Sequence, residues 1–162
     1  MNLPLSRRSA SRQAATTAVE LLPVAVVRNG VRKPRPHGWA DLESRIELLE
    51  RLGPETLAGL DGFSHVLIIF WMHALADDRP RPALLRVGTD PTQRGIFATR
   101  SQLRPNQIGC SAVPLLSVRG RELRVRGLDA IDGTPVLDLK PYIPYYDSVA
   151  AAAVPDWVYG GA

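Results

Sequence analysis

The sequence predicts a mainly β protein, a single domain folded as a closed or strongly curled β-barrel of short strands with little helix. Short runs rich in β-branched residues recur along the chain, turn signals built on glycine and proline separate them, and helical periodicity is weak. The 162 residues, 45% of them hydrophobic, are enough for one core and too few for two comfortable domains.

In the first half of the chain, the strands are predicted from runs that end at turn residues. "VELLPVAVVRNG" reads as a strand that ends at an Asn29-Gly30 turn. Pro34 and Pro36 then predict a loop, until "SRIELL" resumes as a strand. "GPETLAGLDGF" predicts at most a short helix. The apolar run "FSHVLIIFWMH" is expected to be a strand buried on both faces.

The second half continues the same pattern. The proline-rich "DDRPRPALLRVGTDPTQ" is predicted as a loop and "RGIFATR" as a short strand. "GCSAVPLLSV" and "RELRVRG" predict a hairpin that turns at Arg119-Gly120, because apolar and charged residues alternate in its second arm. "DGTPVLDLKPY" adds a strand after an Asp132-Gly133 turn.

The division of the chain follows from these elements. We expect a flexible basic leader over residues 1–18, the barrel over 19–147 and a C-terminal tail over 148–162. The leader carries Arg7, Arg8 and Arg12, contains no acid and lacks the apolar stretch of a signal peptide, so secretion is not expected. It is either a disordered leader or a basic arm that follows a phosphate backbone.

Charge and cysteine content limit the partners. The formal net charge is +4, and nearly all of the positive charge comes from arginine, which suits phosphates or carboxylates. Charge alone leaves nucleic-acid binding and simple solubility equally open. Cys110 is the single cysteine, which excludes an internal disulfide and a multi-cysteine zinc site and indicates a cytoplasmic protein. The longest apolar run, Val66 to Met72, is too short to span a bilayer, so no membrane segment is expected.

Familiar catalytic signatures are absent from the sequence. It contains no glycine-rich phosphate loop opening a helix, no HExxH, no GxSxG and no CxxC. His65 and His73 flank a strand and cannot form a helical i,i+4 metal pair, so no metal site is expected. Polar residues at strand ends and in loops remain as candidates. By spacing alone, they form either a functional site or a solvated rim. They are Arg35, His37, His73, Arg94, Arg100, Arg104, Asn106, Asp129, Asp132 and Asp138.

Three motifs in order carry a resemblance to a known family. "GLDGFSHVLIIFWMH", "RGIFATRSQLRPNQIGCS" and "RVRGLDAIDGTPVLDLKPYIP" resemble the TsaA/TrmO family, S-adenosylmethionine-dependent β-barrel methyltransferases that modify threonylcarbamoyladenosine beside the anticodon of tRNA. The similarity runs from about Val24 to Tyr145, so the barrel domain is TsaA-like. "SRIELL" after a tryptophan is similar to the short form of the family, which lacks an extra C-terminal domain.

The resemblance implies S-adenosyl-L-methionine as cofactor and assigns residues to it. In "FATRS", the Arg100 guanidinium can fork onto a carboxylate, and the carboxylates of "DAID" can accept hydrogen bonds from ribose hydroxyls or the ammonium group. Cys110 matches a position that contacts the cofactor through its backbone, so its side chain is expected to pack rather than attack. The matched cofactor positions are Arg35, Pro36, His73, Ala74, Arg100, Cys110, Asp129, Ala130, Ile131 and Asp132.

The resemblance also implies an acceptor and an assembly. The expected reaction is methylation of the N6 nitrogen of threonylcarbamoyladenosine at tRNA position 37, in a homodimer with the cofactor near the interface. Two alternatives remain open: methylation of a small-molecule acceptor, and a non-catalytic barrel that binds S-adenosylmethionine or RNA. Contacts to RNA are expected from Arg79, Arg81, Arg104, Asn106 and Lys140.

A urea-like nitrogen is a poor nucleophile, so a base that removes its proton would help the reaction. Asp132, Asp138 and Tyr142 are candidates by residue type and by nearness to the cofactor motif. Each also has a purely structural interpretation, since Asp132-Gly133 is an ordinary turn pair and "DLKPY" can simply end a strand.

Overall fold

A closed antiparallel barrel of six strands forms the body of the protein, as the sequence predicts. The computed structural model describes residues 18–75, 79–88 and 90–161. The strands are β1 Ala25–Arg28, β2 Glu43–Leu48, β3 His65–Trp71, β4 Leu84–Arg86, β5 Gln93–Gly95, β6 Ile108–Arg119, β7 Glu122–Arg126 and β8 Pro135–Pro141. The order around the barrel is β1, β2, β7, β6, β3 and β8, and β8 pairs with β1 to close it.

Helical structure is short wherever the chain is described. The helix α1, Pro144–Asp147, is a single turn, and 3-10 turns cover Pro54–Leu57, Leu60–Gly62, Ile96–Ala98 and Asp156–Gly161. In this described part of the chain, no helix is long and apolar enough to cross a membrane.

The core fills the barrel interior with side chains from alternate strand positions. Val27, Ile46, Ile68, Leu123 and Val136 are fully buried, and each comes from a different strand. Since successive side chains point to opposite faces of a strand, the residues between these positions face outward.

The prediction that β3 is buried on both faces is wrong. Val66, Ile68 and Phe70 are buried, whereas His65 and Trp71 at the ends of the strand are exposed. A strand of a closed barrel turns one face to the interior and the other to the outside, so a continuous apolar sequence leaves apolar side chains on the outer wall.

The segment before β6 also differs from its prediction. In "RGIFATR", only Arg94 and Gly95 belong to a strand, and the chain then turns into the 3-10 segment Ile96–Ala98. Both the amide and the hydroxyl of Thr99 donate to the Ile96 carbonyl, which closes this turn. The predicted loop before it contains β4, which pairs with β5 in a separate two-stranded sheet.

The two ends of the barrel carry different loops. At one end lie the proline loop after β1, residues 72–75 after β3, the segment before β6 and residues 129–134 before β8. At the other end, the 3-10 turns Pro54–Leu57 and Leu60–Gly62 lie near the start of β1 and the end of β8. Of the predicted leader, residues 1–17 lie outside the described part of the chain.

Candidate functional site

A cleft of about 520 Å³ opens at the first of these barrel ends. This volume is within the range typical of small-molecule and cofactor sites. Four separate parts of the chain supply its walls: Pro34, Arg35, Pro36 and Trp39; Phe70, Met72, His73, Ala74 and Leu75; Arg100 and Gln102; and Asp129, Ala130, Ile131 and Thr134.

Opposite charges occur among the side chains that line the cleft. Arg100 is exposed, and its guanidinium donates to the Cys110 carbonyl at 2.6 Å, which ties it to the start of β6. Asp129 accepts a hydrogen bond from the Ser111 hydroxyl, also on β6. The cleft therefore offers a fork of donors and a carboxylate that are both oriented by the same strand.

The apolar part of the lining rests on contact between β3 and β6. Phe70 is 3% exposed and faces Gly109 across the strand pair. A Cβ atom placed on Gly109 would lie 2.4 Å from the Phe70 ring, so only glycine lets the ring occupy this position. Met72, Leu75 and Ile131 complete this apolar region.

The proline loop forms one wall with its own internal contacts. The Trp39 indole N–H donates to the Arg35 carbonyl at 3.0 Å, and the Arg35 guanidinium lies 4.7 Å from the centroid of the Trp39 ring. Arg35 also donates to the Gly38 carbonyl. Trp39 is a cleft residue that no predicted role covers, although an aromatic residue in a proline-rich loop is a signal that the sequence contains.

His73 lies on the cleft wall just beyond the end of β3. Its Nδ1 atom is buried and has no hydrogen-bond partner among the described residues. The ring is 6.3 Å, centroid to centroid, from the Trp71 ring. The His73 ring therefore presents a histidine nitrogen with unused hydrogen-bonding capacity at the cleft wall.

Most of the predicted cofactor residues share this cleft. Eight of the ten line it: Arg35, Pro36, His73, Ala74, Arg100, Asp129, Ala130 and Ile131. Cys110 contributes its carbonyl to Arg100 and lies behind the lining, with an exposed side chain. Phe70, Gln102 and Thr134 also line the cleft, and no sequence motif singled them out.

Asp132 holds the proline loop against the segment before β8. Its carboxylate accepts the backbone N–H groups of Asn29 at 2.8 Å and Gly30 at 3.1 Å. The hydrogen bonds from Gly30 and Asn29 lower the pKa of Asp132 below its ordinary value of 3.8. One oxygen of its carboxylate therefore accepts two backbone hydrogen bonds, and the side chain does not line the cleft.

The other two candidates for a base are also outside the cleft lining. Asp138 pairs with Lys140 at 2.6 Å on β8, and this pairing raises the pKa of Lys140. Tyr142 follows β8, and its ring lies 6.2 Å from that of His65. Asp138 lines a pocket at the opposite end of the barrel.

The residues predicted to contact RNA are spread over the molecule. Arg79 and Asn106 are exposed, whereas Arg81 is half-buried and one of its terminal nitrogens is inaccessible. Arg104 donates to the carbonyls of Thr99 at 2.6 Å and Ser101 at 3.0 Å. The structure does not bring these residues together into one patch with Lys140, which lies at the far end of β8.

The cleft combines a guanidinium, a carboxylate and an aromatic and aliphatic lining at one end of a small barrel. Within residues 18–75, 79–88 and 90–161, no cluster of three or more His, Cys, Asp or Glu side chains could hold a metal ion. Fold and site thus define a β-barrel protein with a cleft for a small ligand that is charged at one part and flat or apolar at another.

Comparison with known proteins identifies the family. Residues 28–148 match the family described as the tRNA-methyltransferase O N-terminal domain, and the chain belongs to this family. A crystal structure of TrmO from Pseudomonas aeruginosa matches with a TM-score of 0.67 and 34% identity, covering 85% of this chain and 62% of that one.

Two relatives illustrate the range of lengths among similar proteins. An S-adenosyl-L-methionine-binding protein of Archaeoglobus fulgidus is 35% identical over 133 residues, which cover 80% of this chain and 93% of the relative. The tRNA (adenine(37)-N6)-methyltransferase of Escherichia coli is 40% identical over 105 residues, covering 61% of this chain and 44% of the relative. The chain spans less than half the length of several of the curated relatives that it matches.

Proposed function

We propose that this protein is an S-adenosylmethionine-dependent methyltransferase that methylates the N6 nitrogen of threonylcarbamoyladenosine at position 37 of tRNA. The observation that carries the proposal is the cleft, in which residues from the proline loop, "FATRS" and "DAID" motifs converge. Similarity to the E. coli tRNA (adenine(37)-N6)-methyltransferase supports the acceptor. The present chain has a single cysteine, which suits the reducing cytoplasm, where tRNA is modified.

The donor set of the cleft fits S-adenosylmethionine. Arg100 would hold the carboxylate of the methionine part, and Asp129 would accept from the ammonium or a ribose hydroxyl. The apolar lining around Phe70 and Ile131 would cover the rest of the molecule. When bound there, the cofactor supplies an electrophilic methyl group.

The protein contributes chiefly by positioning the reactants. Arg100 and Asp129 are each fixed by a hydrogen bond to β6, so the charged ends of the cleft are oriented before a ligand enters. For a well-aligned pair of reactants, proximity and orientation contribute on the order of 7 to 11 kcal/mol to lowering the barrier. No covalent bond to the protein is needed for direct displacement.

Proton removal from the acceptor nitrogen falls to a group on the cleft wall. Asp132, Asp138 and Tyr142 were expected from the sequence, but their side chains engage other partners outside the cleft lining. His73 and Asp129 are the titratable side chains, other than arginine, among the described lining residues. Of these, we assign proton removal to His73, because an imidazole nitrogen can accept a proton, whereas the Asp129 carboxylate already accepts a hydrogen bond from the Ser111 hydroxyl.

The proposed assembly is a homodimer joined through the outer wall of β3 and β6. Residues that pair across these strands turn apolar side chains outward, and we call them the β3–β6 face: Leu67, Ile69, Trp71, Ile108, Cys110 and Ala112. Trp71, at the cleft end of β3, is 42% exposed, which leaves a large apolar surface uncovered on the outer wall of the barrel. Because this face is continuous with the cleft end of β3, a second copy there would lie beside the cofactor cleft.

Contacts to the tRNA backbone are assigned to exposed cations in the loops at the cleft end. Arg32 and Lys33 precede the cleft wall in the proline loop, and both are exposed. Arg79 is also exposed, in the segment between β3 and β4. These side chains can reach phosphates without disturbing the barrel.

A methyl-transfer assay tests the proposed function. Purified protein is incubated with S-adenosylmethionine labelled in the methyl group and total tRNA from a strain lacking the corresponding enzyme, and nucleosides are analysed by mass spectrometry. The expected product is N6-methylated threonylcarbamoyladenosine. Labelling of small molecules with none in tRNA would reject the tRNA acceptor, and no cofactor binding by calorimetry would reject the methyltransferase.

A further inference from the structure

Trp39 forms part of the cleft wall without belonging to the hydrophobic core. Among the described residues, the core cluster is built from strand side chains and their neighbours, and Trp39 is not one of its members. The indole is instead half-buried in the loop between β1 and β2 and lines the cleft. Its position therefore calls for an explanation other than barrel packing.

Contacts within the loop itself hold the ring in place. The indole N–H donates to the Arg35 carbonyl at 3.0 Å, and the central carbon of the Arg35 guanidinium lies 4.7 Å from the ring centroid. Gly38, at φ 84°, provides a left-handed turn, and the Arg35 side chain reaches forward to the Gly38 carbonyl and lies over the indole. The ring is thus oriented before any ligand binds, and a pre-oriented flat surface loses little entropy on binding.

The geometry points to a ligand with a flat aromatic ring. With its N–H already donated, the indole has no hydrogen-bond donor left for a ligand, so its contribution to the cleft suits stacking rather than hydrogen bonding. Stacking between an aromatic side chain and a nucleobase is tolerant of base identity and contributes substantially to affinity. The neighbouring cation on Arg35 lies on the ring as well, so the two side chains act as one platform.

We infer that Trp39 is a stacking residue for a purine ring bound in the cleft. The inference rests on the proposed function, which supplies two sources of such a ring: the adenine of S-adenosylmethionine and the target adenine of the tRNA. Both have the same stacking chemistry. Trp39 would then contribute affinity for ligands that carry a purine ring.

Fluorescence of Trp39 tests the inference directly. The chain has three tryptophans, so a Trp71→Phe/Trp157→Phe variant leaves Trp39 as the only one. This variant is titrated with S-adenosylhomocysteine, and then with tRNA in the presence of saturating S-adenosylhomocysteine. Quenching in the first titration assigns the ring to the cofactor, and quenching only in the second assigns it to the acceptor base. Calorimetric binding with no change in fluorescence in either titration would overturn the inference.

Two substitutions separate stacking from a structural role. Trp39→Leu should weaken the affinity for the ligand that stacks by about 5- to 150-fold, whereas Trp39→Phe should retain most of it. An unchanged affinity in Trp39→Leu, or an equal loss in Trp39→Phe, would contradict stacking.

The same measurements distinguish the inference from the proposed function. If the wild-type protein binds neither S-adenosylhomocysteine nor tRNA, the proposed function fails and the inference fails with it. If the wild type binds both and the Trp39 variants bind equally well, the inference alone is overturned.

Discussion

At the scale of single residues, three arginines close together in the sequence have three different environments. Arg94 pairs with Asp90 at 2.8 Å and lies 5.2 Å from the Trp157 ring centroid. Arg104 donates to two carbonyls of its own turn. Arg100 is the one of the three that lines the cleft. Two of the three arginines therefore make contacts within the protein, and the third lies where a ligand in the cleft could reach it.

Arg100→Ala is expected to weaken S-adenosylmethionine binding by about 10- to 150-fold, because it removes a charge-assisted hydrogen bond to the ligand. Arg100→Lys should fall between alanine and wild type, since it keeps the charge but loses the fork. Calorimetry measures both. Arg45→Ala, which removes an ion-paired arginine from the outer wall, is the matched control. Equal affinities for wild type and Arg100→Ala would remove Arg100 from the cofactor site.

Asp132 provides a prediction about stability rather than catalysis. Asp132→Ala leaves the N–H groups of Asn29 and Gly30 without their acceptor and should lower the free energy of unfolding by about 1 to 3 kcal/mol. Asp132→Asn keeps an acceptor and removes only the charge, so its cost should be smaller. Urea denaturation at neutral pH measures both.

The pKa of Asp132 adds a pH dependence to that comparison. Its folded pKa lies below the ordinary 3.8, so the ionised carboxylate contributes stability above about pH 4, and this contribution is lost as the pH falls through the folded pKa. The difference in unfolding free energy between wild type and Asp132→Asn should therefore shrink on acidification below pH 4. A constant difference between pH 3 and pH 7 would contradict the assigned hydrogen bonds.

At the scale of secondary-structure elements, the pairing of β3 with β6 shapes the cleft. Phe70 and Gly109 are direct partners across these strands, and the missing side chain of Gly109 makes room for the ring. The apolar lining of the cleft thus depends on a residue that does not line it. We therefore expect a change in the packing at Gly109 to change the affinity of the cleft for a ligand.

Gly109→Ala should displace the Phe70 ring, because the new Cβ would lie 2.4 Å from it. We expect a loss of about 1 to 3 kcal/mol in stability from overpacking, together with weaker cofactor binding. Thermal unfolding and calorimetry measure the two effects. Gly62→Ala is the control, since its Cβ would meet nothing within 4 Å.

A double-mutant cycle with Phe70→Leu separates this clash from other effects of Gly109→Ala. If the clash is with the ring, the combined variant should be more stable than the sum of the two single losses predicts, by at least about 0.5 kcal/mol. Additive losses would show that Gly109→Ala acts through the backbone and not through Phe70.

At the scale of the whole molecule, the β3–β6 face predicts the assembly. Light scattering under assay conditions should report about twice 17.7 kDa for the wild type. Trp71→Arg places a charge on this face and should shift the mass to that of a single chain. Tyr145→Arg is the matched control, because Tyr145 is also exposed but follows β8 at the opposite end of the barrel. A wild-type protein that stays monomeric while binding the cofactor would refute the dimer.

Binding to tRNA should depend on salt through the loop cations. If Arg32, Lys33 and Arg79 all contact phosphates, each contributes about 0.7 to 0.9 to the slope of log affinity against log salt, for a total of roughly −2.4. Arg32→Ala/Lys33→Ala should flatten the slope by about 1.5 and leave cofactor affinity unchanged. Filter binding across a salt series measures the slope.

Arg45→Ala serves as the control for charge in that experiment. It removes one positive charge from an arginine that already pairs with Glu47 and Glu122, so the slope should stay close to that of the wild type. If Arg45→Ala flattens the slope as much per charge as the loop variant does, the effect is one of net charge and not of specific phosphate contacts.

The sequence by itself determined the fold class, because strand alternation and turn residues are local signals. It placed the hairpin of β6 and β7 and the strand β8 correctly, and its motifs identified the family. It misjudged β3 and "RGIFATR" because burial on one face and a 3-10 turn depend on how the sheet closes and on what the following loop contacts.

Only the tertiary structure decided which polar and aromatic groups share the cleft. Asp132 accepts hydrogen bonds from Asn29 and Gly30, about a hundred residues earlier in the chain. Its carboxylate therefore has a structural role, although its spacing in the sequence made it a candidate for a catalytic base. In the sequence, Trp39 precedes "SRIELL" and Phe70 follows it. Nothing in the residues next to either one indicates that both line the same cleft as Arg100. Barrel closure brings these segments together, because it pairs strands that are distant in the sequence, such as β3 with β6 and β1 with β8.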